Sequence, residues 1–275
     1  MNLIDSKIDS FYTQSSEDTR LKTGLGPLEF ERNKELISRY LPSGKATIAD
    51  VGGGTGHYAA WLSGLGHKVM LIDPVSKHIQ QAEKRAKKIK NAFDCQIGEA
   101  RNLPFAAQSF DLVILHGPLY HLLEQSERIA AIKEACRVLK PRGIILGFAI
   151  THAASTLAAF QNGFIHQPDI FKMCVEELSS GEHHAPSSFP GILAQAYFHK
   201  PSTLINEFQL CGLSILNLLA VEGMGWMDKS FFESWSTPEK RKRLNELLAL
   251  TESDRDLLCF SPHMMIAAEV NDSLG

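Results

Sequence analysis

Residues 50 to 56 read Asp-Val-Gly-Gly-Gly-Thr-Gly. Glycines at this density permit a tight turn and let a ligand approach the backbone closely. A helix starting just after such a turn offers free N–H groups and partial positive charge. A dinucleotide fingerprint beginning at Gly52 needs glycine or alanine at position 57, where this chain has His57. The pattern is instead DxGxGxG, with an acid ahead of the first glycine. Beside a pyrophosphate that carboxylate would be repulsive; beside a ligand carrying a positive amino group it is favourable. Asp73-Pro74 follows about 20 residues later, the spacing at which an acid meets ribose hydroxyls in this kind of architecture. Asp73 also suits a helix cap or a turn. Glu99 and the backbone of Ala100 stand at a third such point, where an adenine would lie and a carboxylate can accept from its exocyclic amine; Glu99 reads equally as a surface residue in a turn. Further on, His116-Gly117-Pro118-Leu119-Tyr120-His121 brings two imidazoles and a phenol to one sharp turn. Histidine is the side chain best matched to moving a proton near neutral pH. His116 and His121 are therefore candidates for a general base or a substrate contact, and Tyr120 for positioning. Either histidine would also serve simply by bonding the backbone or a cofactor.

All of these residues fall at the ends of apolar runs. Ala46–Val51, Lys68–Ile72, Phe93–Ile97, Phe110–Leu115 and Gly143–Ile150 read as strands, and compact apolar runs of this kind are buried on both faces of a parallel sheet. Helices are expected over Tyr58–Leu65, Ser76–Lys90 (with Ser76 as N-cap) and about Ser126–Leu139. Five alternations between residues 46 and 150 imply a doubly wound α/β sheet, because each parallel crossover returns through a helix. Ligands in such sheets lie at the carboxyl ends of the strands.

The stretches ADVGGGTGHYAAWLSGLGHKVMLIDP, GEARNLPFAAQSFDLVILHGPLYHL and RVLKPRGIIL, within about residues 46 to 150, resemble the class I S-adenosylmethionine-dependent methyltransferases. Arg142 replaces that family's usual first glycine in the last stretch, and Glu99 stands where Asp is commoner. The resemblance implies a Rossmann-like, mostly parallel seven-stranded sheet with the last strand antiparallel. It implies S-adenosyl-L-methionine as cofactor, leaving as S-adenosyl-L-homocysteine. Asp50, Gly52, Gly53, Gly54 and Gly56 would border its methionine part, Asp73 with Pro74 its ribose, and Glu99 with Ala100 its adenine, with His116 nearby. The N-terminal segment resembles a subset in which a helix folds over the cofactor, so Tyr12 and Arg20 would close a lid, Arg20 by pairing with a carboxylate.

The expected organisation is a helical lid over 1–45, a cofactor-binding core over 46–151 and 200–275, and a helical cap over 152–199. That last segment is too long for a plain crossover. It carries turn signals at Gly163, Pro168, Gly181, Pro186, Pro190 and Gly191. Phe160, Phe164, Phe171, Phe189, Tyr197 and Phe198 would line an acceptor pocket beneath it. The C-terminal part is expected to supply helices Pro201–Cys211 and Glu239–Ala249 and strands Leu213–Val221 and His263–Val270. Trp226 would cover the acceptor, and His263 falls within reach of the pocket.

Composition narrows the classes further. The 275 residues carry a formal net charge of −3, which gives no general pull toward nucleic acid. The basic run Lys84–Lys90 reads as the wet face of a helix. Five widely spaced cysteines without CxxC argue against a disulfide framework or a zinc site, and the histidines of the 152–199 segment show no metal-ligand pattern. Without a signal peptide or a membrane-length apolar run, a cytoplasmic protein is expected. The readings carried forward are a small-molecule methyltransferase and a non-catalytic S-adenosylmethionine-binding or regulatory homologue, with a nicotinamide oxidoreductase as a third. The acceptor atom and the oligomeric state are not legible.

Overall fold

The computed structural model describes residues 4–14, 17–189 and 192–271. Three helices come first: α1 (Ser6–Gln14), α2 (Glu17–Arg20) and α3 (Gly26–Ser38). The core then alternates β1 (Thr47–Val51), α4 (His57–Gly64), β2 (Lys68–Asp73), α5 (Ser76–Ala86), β3 (Asp94–Ile97), β4 (Phe110–Leu115), α6 (Pro118–His121), α7 (Gln125–Val138) and β5 (Leu139–Ile150). Helices α8 (Ala154–Asn162) and α9 (Pro168–Ser180) follow, then strands β6 (Glu182–His184) and β7 (Gln195–Tyr197). The chain ends with α10 (Pro201–Leu210), β8 (Leu213–Ala220), α11 (Phe231–Ser234), α12 (Pro238–Thr251) and β9 (His263–Val270).

Seven strands form one sheet in the order β3-β2-β1-β4-β5-β9-β8. The first five are parallel, and β9 runs antiparallel between β5 and β8. Alternate residues of each strand enter opposite cores. Ala49, Val51, Val113 and Leu115 pack on the face covered by α7 and α10, whereas Ile48, Leu112 and Ile114 pack on the face covered by α4 and α5. Burial on both faces is why these strands read as unbroken apolar runs. The strand order reverses between β1 and β4, so a crevice opens at their carboxyl ends. The glycine turn and the 116–121 segment both lie there.

Several local expectations are corrected. Ahead of the core, the described residues of the expected 1–45 segment form α1, α2 and α3; residues 15 and 16 lie outside the described ones, as do Pro190 and Gly191. Ser76 is the first helical residue of α5 and caps nothing; Val75 holds the N-cap position, and Asp73 accepts from the Val75 amide at 2.9 Å. Helix α5 stops at Ala86, the last residue of its buried stripe His78, Ile79, Ala82 and Ala86. The 152–199 segment is not wholly helical, since β6 and β7 pair as a small antiparallel ribbon. Among the described residues, no helix is long and apolar enough to cross a membrane. The five cysteines are unpaired, and Cys174 and Cys211 are buried.

Candidate active site

A cavity of about 910 Å³ occupies the crevice. One end is walled by Gly52, Gly53, Gly54, Asp73, Pro74, Glu99 and Ala100; the other by Glu29, Asn33, Tyr58, His116, Phe148, Gln195 and His263. Tyr12, Tyr120 and His121 also line it.

The turn after β1 is held by the neighbouring strand and loop. Gly52 N donates to Ile72 O at 2.7 Å, and a β-carbon at Gly52 would sit 2.9 Å from Pro118 Cδ. Gly54 adopts φ +55° and a β-carbon there would meet nothing within 4 Å, so the turn offers bare backbone to open cavity. Gly54 N donates to Asp73 Oδ2 at 2.9 Å, and Asp73 Oδ1 also contacts His78 Nδ1 at 3.1 Å. Asp73 therefore ties the turn to the start of α5, with carboxylate lone pairs still available to a ligand. Gly56 does not line the cavity. It is the left-handed N-cap of α4, and a β-carbon would strike Phe93 at 2.7 Å. Glu99 is engaged by Arg101, which also holds Glu127.

Asp50 is placed differently from expectation. It is fully buried and lies beneath the turn rather than on the cavity wall. Its Oδ1 accepts from His116 Nδ1 at 2.7 Å. This orients the imidazole with its Nδ1–H toward the carboxylate and its Nε2 directed away from it. His116 is clamped between the rings of Tyr58 (4.3 Å, 18°) and Phe148 (4.7 Å, 20°). Its Nε2 is buried and has no protein partner. His121 is in the opposite condition. Burial pushes its pKa down to about 4, so the ring is neutral at pH 7, and its Nε2 lies 2.8 Å from the Tyr12 hydroxyl. Burial also raises the Tyr12 pKa, so the phenol keeps its proton and donates to His121. Tyr120 is likewise held as a phenol by burial.

This bond fastens α1 to the turn after β4. Arg20, which also pairs with Glu17 within α2 at 2.8 Å, fastens α2 to α3 through Glu29 at 2.5 Å, and Arg85 fastens it again through Asp18. Tyr12→Phe removes one of these ties. The expected result is a loss of cofactor affinity of about five- to tenfold, in keeping with about 1 kcal/mol for one hydrogen bond, together with faster proteolytic cleavage within α1. Unchanged affinity and cleavage would show that α1 has no part in covering the site.

Other expectations fail on geometry. None of Phe160, Phe164, Phe171, Phe189, Tyr197 and Phe198 lines the cavity. Phe160 and Phe171 are more than half exposed, and Phe198 is buried against His183. The 152–199 segment reaches the cavity through Leu193 and Gln195 instead. Trp226 lies away from it, donating to Phe260 O. Sequence reasoning missed Glu29, Asn33, Tyr58 and Glu222. Glu29, Asn33 and Glu222 belong to no motif and are brought in by packing of distant segments, whereas Tyr58 stands just past the glycine turn, at the start of α4.

A doubly wound sheet with a glycine turn on its first strand and an acid closing its second defines a Rossmann-like cofactor-binding domain. Residues 49–147 match the family described as a methyltransferase domain. The uncharacterized methyltransferase YodH of Bacillus subtilis is 31% identical over 115 residues, 42% of this chain and 48% of that protein. The ubiquinone/menaquinone biosynthesis C-methyltransferase UbiE of Rubrivivax gelatinosus is 33% identical over 133 residues, 48% of this chain and 50% of that protein. The chain thus spans about half the length of the curated relatives it matches. A solved structure described as a SAM-dependent methyltransferase, from Methanosarcina mazei, shares the fold with a TM-score of 0.60 at 20% identity, over 86% of this chain and 97% of that one. Residues 49–147 are thus similar to methyltransferase domains in sequence, and the chain shares the fold of SAM-dependent methyltransferases.

Proposed function

We propose that the protein is an S-adenosylmethionine-dependent methyltransferase acting on a small molecule, with His116 as the group that takes up the proton of the acceptor. The observation that carries this reading is one continuous cavity lined both by the bare glycine turn and by His116, whose Nε2 is buried without a protein partner. S-adenosylmethionine would supply an electrophilic methyl group on a sulfonium. The fit is supported by the open space over Gly54 and by Asp73, Pro74, Glu99 and Ala100 along the same wall. Tyr12 and the first 45 residues act as the lid, and the 152–199 segment as part of the acceptor wall.

Each of the two histidines has one ring nitrogen without a protein partner, and His116 is favoured because its other nitrogen is oriented by a carboxylate. His121 has low basicity, and its Nε2 already accepts from Tyr12. Positioning supplies most of the rate in a displacement of this kind, and proton removal adds roughly 10²- to 10⁴-fold. Relatives of similar identity include the probable tRNA methyltransferase 9B of Bos taurus. The net charge of −3, which gives no general pull toward nucleic acid, favours a small molecule over RNA here.

The test uses radiolabelled S-adenosylmethionine with pooled cell metabolites, followed by the same assay on His116→Asn. Label should pass to a metabolite, and the substitution should lower turnover about 10²- to 10⁴-fold while cofactor affinity, read by calorimetry, changes little. Cofactor binding with no label transfer would favour the non-catalytic reading. Tighter binding of NAD than of S-adenosylmethionine would sink both.

A further inference from the structure

The acceptor end of the cavity contains a second imidazole oriented by a carboxylate. His263 opens β9 and pairs in register with Ile150 at the end of β5. Because β9 is antiparallel, its first residue lies at the same sheet edge as His116, two strand spacings away, or roughly 10 Å. His263 Nδ1 lies 2.6 Å from Glu222 Oε1. Glu222 is buried and fixed in turn, its Oε2 accepting from Ser261 Oγ and from the His263 amide, both at 3.1 Å. His263 lines the cavity, and with Nδ1 committed to Glu222 its Nε2 is the ring nitrogen left for a ligand.

The surrounding charges decide what that nitrogen would bind. Burial alone would lower the His263 pKa, but the charge and hydrogen bond of Glu222, with Glu29 behind them, raise it to about 9. At neutral pH the ring is an imidazolium and Nε2 is a charged donor. Glu29 is answered by Arg20 through bonds of 2.5 and 3.1 Å. Glu222 is answered by His263 itself. Arg20 is shared with Glu17, so two cations stand against three carboxylates, each of them already paired, and the donor left unspent is His263 Nε2–H. An entering anion would meet that donor; an entering cation would find both carboxylates engaged. Oxygen and nitrogen atoms of Glu29, Glu222 and His263 do lie within 4.8 Å of one another. A divalent ion there would have to displace Arg20 from Glu29, free Glu222 from Ser261 and a backbone amide, and expel the His263 proton. The arrangement suits an oxyanion better than a metal ion.

We propose that His263, oriented by Glu222, anchors the acceptor by an anionic oxygen, so that the substrate is a small organic acid whose second functional group faces His116. This rests on the reading of the His116 end as the acceptor end. It specifies a substrate class on which the methyltransferase family and its motifs are silent.

The experiment uses chelator-treated protein labelled with ¹⁵N-histidine, with and without S-adenosylhomocysteine, titrated with salicylate and with salicylamide. These probes differ in one charge and share the neighbouring hydroxyl. Salicylate should bind at least about tenfold more tightly, the 1.4 kcal/mol expected of a charge-assisted hydrogen bond, and should move the His263 Nε2 resonance. In His263→Asn the preference should fall below about twofold, with S-adenosylhomocysteine affinity unchanged. Glu222→Gln, which keeps the imidazole but loosens its orientation, should fall between. Equal binding of the two probes, no movement of the His263 signal, or a preference that survives His263→Asn would overturn the proposal. So would broadening of the His263 signal by micromolar Mn²⁺ that salicylate cannot reverse. Failure of S-adenosylhomocysteine to bind would instead count against the methyltransferase reading, and the anion preference is then read on the free protein.

Discussion

Gly54→Val is expected to reduce S-adenosylmethionine affinity by about 100-fold or more, since a side chain would stand where the ligand must approach the backbone. The protein should remain folded. A β-carbon at Gly54 meets no atom within 4 Å, so there is no clash to relieve. The backbone cost is that of a branched residue at φ +55°, about 1–2 kcal/mol for the left-handed region, which a domain of this size tolerates. Calorimetry should detect no binding, while far-UV circular dichroism and the urea midpoint stay near wild type. Gly53→Ala is the contrasting case. Its β-carbon would lie 2.6 Å from Asp50 Oδ2 and 2.9 Å from Leu71 Cδ1, so it should disturb the Asp50–His116 pair as well as the turn. If Gly54→Val bound the cofactor within about threefold of wild type, the turn would not be the cofactor cradle.

The second large effect concerns stability and reaches the site through one loop. Arg128 is buried on α7 and is held by Glu207 of α10, with Nη2 to Oε1 at 2.8 Å. Its Nη1 donates to Leu122 O at 2.9 Å and Leu123 O at 2.6 Å, and its guanidinium lies 3.7 Å from the centre of the Tyr197 ring. Leu122 and Leu123 line the cavity directly after His121. Arg128→Met would leave the Glu207 carboxylate buried with His199 alone and two carbonyls without their donor. Stranding a buried charge in this way costs about 3–5 kcal/mol, which for a chain of this length lowers the thermal midpoint by about 10 °C. Adding Glu207→Gln should recover part of the loss, because it removes the stranded charge. Burial alone would raise the Glu207 pKa; hydrogen bonds from His199 and Arg128 outweigh it and hold the carboxyl below its usual range. Its contribution is therefore present above the unfolded carboxyl pKa and is lost as pH falls through the lowered one. Acid unfolding of wild type should be steeper than that of the double variant. A midpoint for Arg128→Met within about 2 °C of wild type would mean that water replaces the guanidinium without loss.

Local pattern was enough for the sheet. Strands with both faces buried cannot hide their apolar runs, and a strand-to-helix turn with exposed backbone needs its glycines, so Thr47–Val51 and Gly52–Gly54 announce themselves. Asp73 was legible for the same reason, since it closes a strand of that sheet. The pattern failed where a residue's role depends on a distant partner. Asp50 reads as an acid facing a ligand, yet the fold turns it under the glycines toward His116, 66 residues away. Trp226 was the conspicuous residue of its loop, whereas Glu222, four positions earlier, is the one that orients His263. The aromatics of the 152–199 segment could not be sorted into wall, core and surface, because nothing in their spacing records which face of α8 or α9 meets the sheet.

The sequence by itself determined the class of fold, the carboxyl edge as the place of the site, and the turn that would take the cofactor. These follow from short-range rules of periodicity and backbone freedom. Only the tertiary structure decided which histidine is oriented by a buried aspartate, which is capped by a phenol, and which is charged. Each of those states is fixed by one carboxylate or hydroxyl brought up from 40 or more residues away, and by the loss of water around the pair once they meet.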